Sequence, residues 1–322
     1  MSEGAREAEV VITAQELTRD FGETRAVAAL DLTIRRGELF GLVGPDGAGK
    51  TTTLRLFAGL LDITDGRATV AGFDLSQERE AIKSQIGYMA QRFSLYSELT
   101  VMENLSFFAE LYNVAPEQQR SRAERLLDFA GLTPFKGRRA EHLSGGMKKK
   151  LALACTLIHE PPILLLDEPT TGVDPVSRRE FWAILTDLYR GGTTIVVTTP
   201  YMDEADRCSR VGLMYAGRMI RCDQPKRIRD EIEGELIELQ SSDWQIARDR
   251  VRTLPGVLEV QTYGEAVHLL VDSAEDRLPE IRSRLEGEGI NIAVLRRARL
   301  RMEEAFISLI QEMERKERQA NG

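Results

Sequence analysis

Three short stretches carry residue types at spacings on which a reaction could be built. The first is GPDGAGKT, from Gly44 to Thr51, which fits the pattern GxxxxGK[ST]. Its glycines, Gly44, Gly47 and Gly49, let a backbone curl around a phosphate without side-chain obstruction. Successive N–H groups and the start of the next helix would then face the anion. Lys50 would reach the β- and γ-phosphates, and Thr51 would hold Mg2+. The second stretch, ILLLDEPT at 163–170, sets Asp167 and Glu168 at the end of an apolar run. Burying a carboxylate without a partner is costly. A hydrated Mg2+ removes that conflict for Asp167, and Glu168 is suited to polarise an attacking water. The third, LSGGM at 143–147, places Ser144, Gly145 and Gly146 at a helix start, a second anion site. One nucleotide has little use for two such sites on one chain. Two chains facing head to tail would use both.

These residues need elements to hold them. LFGLVG at 39–44 reads as a strand buried on both faces, running into the glycine loop and then the helix KTTTLRLFAGLL. Strands are expected at 10–16 and 28–34, GRATVAG, IGYMAQ, PILLLDEP, TTIVVTT and RVGLMYAGRMI. REFWAILTDLYRGG reads as a helix. Strands alternating with helices make an α/β core. Between about 92 and 155 the sequence is helical throughout and reads as an insert. A break falls near 223–234, and beyond it ELIELQ through MEEAFISLIQEME predicts a small α+β domain, with ERKERQANG as a frayed tail. The expected domains are therefore 10–224, with its helical subdomain at 92–155, and 235–312.

Composition narrows the classes. The 322 residues suffice for about two domains. With 43 Lys plus Arg against 51 Asp plus Glu, the net charge of −8 argues against a general nucleic-acid partner. Three cysteines and three histidines are too scattered for a disulfide framework or a zinc site. The N-terminus lacks a signal-peptide pattern. No apolar run approaches the ~18 residues that span a bilayer. The chain is therefore expected to be soluble, which leaves a membrane-embedded partner open.

Taken together, these motifs closely resemble the ATP-binding subunits of ABC transporters, above all the branch that serves ABC-2-type exporters. The resemblance covers about 11–222, and the C-terminal unit is similar to an accessory domain of that branch. It implies an α/β P-loop nucleotide-binding domain with a helical insert, followed by the α+β domain. It also implies ATP and Mg2+ as cofactors. Gly44–Thr51 becomes the phosphate loop, with Thr52 and Asp46 beside the nucleotide. Thr51, Asp167 and Gln91 become the metal set. Glu168 is the catalytic carboxylate, assisted by Gln91 of YMAQRF. Ser144, Gly145 and Gly146 act across a dimer, Asp174 of TGVD lies at its seam, and Phe21 stands where an aromatic ring stacks on adenine. The implied partners are ABC-2-type permease subunits and a second ATP-binding chain, identical or different. The chain would then be cytoplasmic and peripheral on the inner face of the cell membrane. A groove in the insert, walled by Phe93, Tyr96, Phe107 and Phe108, would receive a short permease helix.

Three departures stand out. Asp46 replaces a commoner asparagine, as in the first ATP-binding half of a tandem exporter ATPase. Its carboxylate must point away or make a local turn bond. Lys148, Lys149 and Lys150 follow the signature, either as a solvated helix face or as a salt bridge toward the neighbouring chain. The third is Pro200, which occupies the place of the family's switch histidine in TIVVTTPYMDEAD. Proline offers no hydrogen-bonding side chain and no N–H. Thr198 shares its face of the strand and would either pack or stand in poorly. The function read from all this is ATP-driven export through a separate permease, with this chain as the weaker half of an asymmetric pair. The alternative is a nucleotide-gated structural or regulatory subunit with negligible hydrolysis. A soluble ATPase acting on RNA would favour two nucleotide domains and basic linkers.

Overall fold

The computed structural model describes residues 9–92 and 95–320, so Phe93 lies outside the described residues. The chain forms two compact units, one ending at Asp223 and the other beginning at Gln224.

The first unit is built on two sheets. Strands β1 (Val10–Phe21) and β2 (Thr24–Arg35) form a long antiparallel hairpin, joined by β4 (Asp65–Val70) and β5 (Phe73–Asp74) in the order β2-β1-β4-β5. The other sheet has six strands in the order β10-β9-β3-β8-β7-β6. Its members are β3 (Leu39–Val43), β6 (Ile86–Met89), β7 (Ile163–Asp167), β8 (Thr194–Thr199), β9 (Arg210–Tyr215) and β10 (Arg218–Asp223). All its pairings are parallel except that of β9 with β10. Every residue of β3, β7 and β8 is buried, the apolar runs LFGLV, ILLL and IVV together with Asp167 and the threonines that flank them. Helix α1 (Lys50–Phe57) buries Leu54, Leu56 and Phe57 in the core shared with the antiparallel sheet. The short helix α2 (Arg79–Gln85) adds Ile82 to it.

The insert is helical, as its sequence suggests. Helix α3 (Val101–Leu111) starts on a reciprocal Thr100–Glu103 capping box, and α4 (Pro116–Phe129) starts with proline in its first turn. Helix α5 (Gly145–Leu157) completes a core of its own around Leu105, Leu127 and Leu151. After β7 come α6 (Pro175–Arg190) and, after β8, the single turn α7 (Met202–Ala205).

The second unit opens with α8 (Pro225–Asp230). It continues as β11 (Glu235–Gln240), α9 (Trp244–Val251), β12 (Val257–Tyr263), β13 (Ala266–Val271), α10 (Ala274–Gly287) and β14 (Val294–Ala298). The antiparallel order β12-β13-β11-β14 makes this a split βαββαβ unit. Ile237, Leu239, Val267 and Leu269 pack with Ala247, Val251, Ile281 and Leu285 of its helices. The alternating positions carry polar groups, among them Glu238, which accepts two hydrogen bonds from Arg296. The last helix, α11 (Met302–Ala320), corrects one expectation: the stretch read as a frayed tail is helical as far as Ala320. Ion pairs one turn apart, Lys316 with Glu312 and Arg318 with Glu314, support that extension.

Helix α11 is tied to the sheet by a buried pair, with Nδ1 of His268 2.8 Å from Oε1 of Glu304. Burial alone would raise the Glu304 carboxyl. The His268 hydrogen bond and the N–H of Arg301 outweigh it, so the group lies below its ordinary value of 4.5. A carboxylate depressed in the folded state stabilises above its unfolded value and loses that contribution as pH falls through the folded one. Unfolding midpoints of the wild-type chain should therefore decline on acidification below about pH 4.5 more steeply than those of Glu304→Gln. Parallel slopes in urea titrations at several pH values would rule this out.

Candidate functional site

Parallel register brings the reactive residues to one end of the sheet. Val43 lies beside Thr199, Asp167 beside Thr198, and Leu166 beside Met89, two residues before Gln91. The carboxyl-terminal ends of β3, β6, β7 and β8 thus gather where α1 begins. The loop between β3 and α1 is held there by close backbone approach. A Cβ at Gly44 would lie 2.2 Å from the carbonyl oxygen of Met214. Gly49 has φ +99°, and a Cβ on it would meet the carbonyl oxygen of Ala26 at 2.4 Å. Neither position admits a side chain.

Lys50 is buried, and its Nζ donates to the carbonyl oxygens of Gly44 and Pro45 at 2.8 and 2.9 Å. The same ammonium lies 3.4 Å from Oε1 of Glu168. The other Glu168 oxygen accepts from Nε2 of Gln91 at 2.8 Å and from the Thr171 hydroxyl at 3.3 Å. Glu168 holds φ +45°, a left-handed conformation that costs a non-glycine residue about 1–2 kcal/mol. Asp167 is fully buried. Its Oδ1 accepts from the hydroxyls of Thr51 and Thr198, each at 2.8 Å, while its Oδ2 is buried with no hydrogen-bond partner. A carboxylate oxygen left so, next to a threonine hydroxyl, fits a hard divalent cation. Thr51 and Asp167 are the residues that could hold one, with Gln91 at the edge.

Above this cluster opens a cleft of about 750 Å³. Phe21, Asp46, Gly47, Gly49, Lys50, Thr51, Thr52, Gln91 and Glu168 all line it, as does Pro200. Phe21 is an exposed ring with the Arg19 guanidinium 4.5 Å from its centroid, so it is not a core aromatic. Asp46 is exposed on the loop and makes no hydrogen bond among the described residues, so no local turn bond holds it. Thr24, Arg25, Ala26, Thr171 and Tyr201 complete the lining; Thr171 opens the TGVD stretch, and none of the five is singled out by the sequence.

The remaining candidates lie elsewhere. Ser144, Gly145, Gly146 and Asp174 do not line this cleft. The Ser144 hydroxyl caps α5 by accepting from the N–H of Met147 at 3.3 Å. Asp174 caps α6 by accepting from the N–H groups of Ser177 and Val176, which hold its carboxyl below the usual range. The two helix starts touch at Gly146, where a Cβ would sit 2.4 Å from Oγ of Ser177. The lysine run is less solvated than its composition suggests. Lys149 donates to the carbonyl oxygen of Gln91 at 2.9 Å. Burial lowers its pKa, against the pull of Asp167 and Glu168. Lys150 pairs with Glu180 of the same chain. A hollow of about 440 Å³ lies between Gln91 and the start of α5, lined by Leu95, Ser97 and Gly145. Of the expected aromatic wall, the described residues Tyr96, Phe107 and Phe108 are absent from that lining. Phe107 instead packs against both neighbours, tilted to Tyr96 and edge-on to Phe108, with centroids 4.4 and 5.5 Å apart.

Residues 27–171 match the ABC transporter family. The chain is 43% identical over 307 residues to the probable multidrug ABC transporter ATP-binding protein YbhF of Escherichia coli, covering 94% of this chain. It spans about half, 52%, of that relative's length. It is 34% identical over 303 residues to the daunorubicin resistance ATP-binding protein DrrA2 of Streptomyces coeruleorubidus, covering 92% of this chain and 94% of that one. Among solved structures, a dimeric ATP-binding cassette in a post-hydrolysis state with ADP and Pi aligns at TM-score 0.60 and 28% identity, over 66% of this chain and 98% of its own. Among the described residues, no helix is long and apolar enough to cross a membrane.

One residue behind the cleft escaped the sequence reading altogether. Glu204 is fully buried, one turn past Pro200. Its Oε1 accepts from Thr170 at 2.8 Å, Arg178 at 2.6 Å and the Trp182 indole at 2.7 Å. Its Oε2 accepts from Thr199. It thereby joins the segment after Glu168, the end of β8 and helix α6. The available signal was Arg178 and Trp182, one helical turn apart on an amphipathic helix. Removing one partner of a buried, hydrogen-bonded charge pair costs about 3–5 kcal/mol. Glu204→Ala should lower unfolding free energy by about that much. Asp203→Ala, which removes only an exposed partner of the same arginine, should cost under about 1 kcal/mol. Equal losses in denaturant melts would refute the assignment.

Proposed function

The chain belongs to the ATP-binding proteins of ABC transporters, and from that membership we propose that it binds Mg-ATP in the cleft and hydrolyses it to drive export through a separate ABC-2-type permease. One observation carries the proposal. Thr51 donates to Asp167, Lys50 and Gln91 both meet Glu168, and the Thr198 hydroxyl joins the two acids into one cluster at the cleft floor.

The chemistry follows from that cluster. Phe21 offers the adenine an apolar face, and the N–H groups of the glycine loop and of α1 meet the phosphates. Lys50, now held by two carbonyl oxygens, turns its ammonium to the β- and γ-phosphates. A bound Mg2+, held by Thr51 and Asp167 near Gln91, would neutralise phosphate charge. Glu168, oriented by Gln91 and Thr171, accepts a proton from the attacking water. Ser144–Gly146 and Asp174 are assigned to the nucleotide of a second ATP-binding unit facing this one, because both lie outside this chain's own cleft. The hollow beside Gln91 is assigned to a permease segment, which would hold the protein on the inner face of the cell membrane.

A second reading rests on Pro200. It lines the cleft and presents no hydrogen-bonding group where charge develops in the reaction. In that reading the chain clamps on ATP and hydrolyses little, and a partner unit supplies most of the turnover.

Lys50→Ala should weaken ATP binding, measured by calorimetry, by about 1.5–3 kcal/mol, the range for a charge-assisted contact. Unchanged affinity and turnover would count against the assignment. For turnover, the deciding comparison sets the wild-type chain beside Glu168→Gln and Pro200→His, alone and with a second ATP-binding unit and permease. One missing contact to developing charge costs roughly ten- to a thousandfold in rate. Pro200→His should recover part of that range. Ordinary transporter rates from the wild-type chain alone, abolished by Glu168→Gln, would remove the case for a weak site.

A further inference from the structure

We propose that Thr198 is the positioning residue of this site, holding Asp167 and Glu168 together so that the unpartnered oxygen of Asp167 is presented to the metal of Mg-ATP. The inference rests on the reading of the cleft as an ATP site and deepens it.

The geometry is specific. Thr198 is fully buried on β8, in register with Asp167 on β7. Its hydroxyl is used both as a donor and as an acceptor. It donates to Oδ1 of Asp167 at 2.8 Å and accepts the N–H of Glu168 at 2.9 Å. With the Thr51 hydroxyl on the same Oδ1, one carboxylate oxygen is satisfied by two donors and the other by none. That asymmetry fixes the carboxylate's orientation. The second bond anchors the backbone at Glu168, the residue whose φ of +45° is least able to hold itself. Thr198 is absent from the cleft lining, so it acts through the two acids and not on the nucleotide. It is neither the packing residue nor the stand-in for a switch histidine that the sequence suggested. Thr199, the next hydroxyl, is committed to Glu204 and to the N–H of Tyr201 and cannot take its place.

The test separates metal binding from nucleotide binding in the full-length chain. Mn2+ serves as the probe, titrated into protein with ATP and followed by electron paramagnetic resonance. ATP binding in EDTA is measured alongside. Thr198→Val keeps the shape and removes the hydroxyl, and Thr198→Ser restores it. Partners that orient a metal ligand typically matter by about 10–100-fold in affinity. Thr198→Val should weaken Mn2+ by that order while metal-free ATP binding changes by less than about threefold, and Thr198→Ser should stay within about threefold of wild type in both. Mn2+ affinity untouched by the valine, or lowered as far by serine as by valine, overturns the inference. If Thr198→Val lacks a cooperative thermal transition, Thr198→Cys gives the same comparison, with a poor donor in a side chain of similar size. A wild-type chain that binds no ATP with or without metal fails the underlying reading. Normal Mn-ATP binding in both wild type and valine variant fails this inference alone.

Discussion

The structure depends on burying two carboxylates, Asp167 and Glu168, at the end of a strand that is otherwise apolar and buried throughout. Desolvating such groups costs several kcal/mol each unless donors surround them. The donors come from four separate segments: Thr51 and Lys50 at the start of α1, Gln91 after β6, Thr171 after β7, and Thr198 on β8. The parallel sheet is what makes this convergence possible. Its register delivers Thr198 beside Asp167 and the phosphate loop beside the end of β8. The strained backbone at Glu168 persists because its N–H and both side-chain oxygens are engaged. The charges are gathered at the floor of the cleft, and Lys50, held by the carbonyl oxygens of Gly44 and Pro45, is the one that would have to turn toward an arriving phosphate.

A second buried carboxylate supports the first from behind. Glu204 binds Thr170, Arg178, Trp182 and Thr199, so the loops leaving β7 and β8 are cross-braced by one side chain. Arg178 also lies 4.4 Å from the Tyr201 ring, which lines the cleft. The starts of α5 and α6, carrying Ser144 and Asp174, meet at Gly146 with no room for a side chain. Lys149 then ties α5 to the backbone of Gln91. A change at Gln91 therefore has a direct mechanical route into the helical insert. That route runs through one hydrogen bond from a lysine whose charge is partly desolvated.

Much of this was legible from spacing alone. Gly44–Thr51, Asp167 and Glu168 sit in motifs whose residues act through neighbours close in sequence or at a strand end. The strand and helix order followed from apolar periodicity, including the small α+β unit. Phe21 and Gln91 needed a family resemblance, because a single aromatic or glutamine carries no pattern. Thr198, Glu204 and Lys149 were misread or passed over for a common reason. Each takes its role from partners 22 to 58 residues away, which only the register of the sheet and the packing of α5 and α6 bring close. The helical tail was misjudged because it buries little, and its order rests on charge pairs along one face.

The same packing bears on the proline at 200. Had the switch position braced the acids, its loss would have disordered Asp167 and Glu168. It does not brace them: Thr198 and Thr199 take up the polar ends of β8, and Pro200 follows them into the cleft wall with no acidic partner. Binding geometry and water orientation are thus supported by different residues. Proline removes one group that could touch developing charge and leaves the scaffold of the acid pair intact. On the proposed reading its effect would fall on the transition state, where a contact must act to alter rate without altering affinity. On that reading the chain would keep its nucleotide site, and its rate would depend on whatever second donor reaches the γ-phosphate.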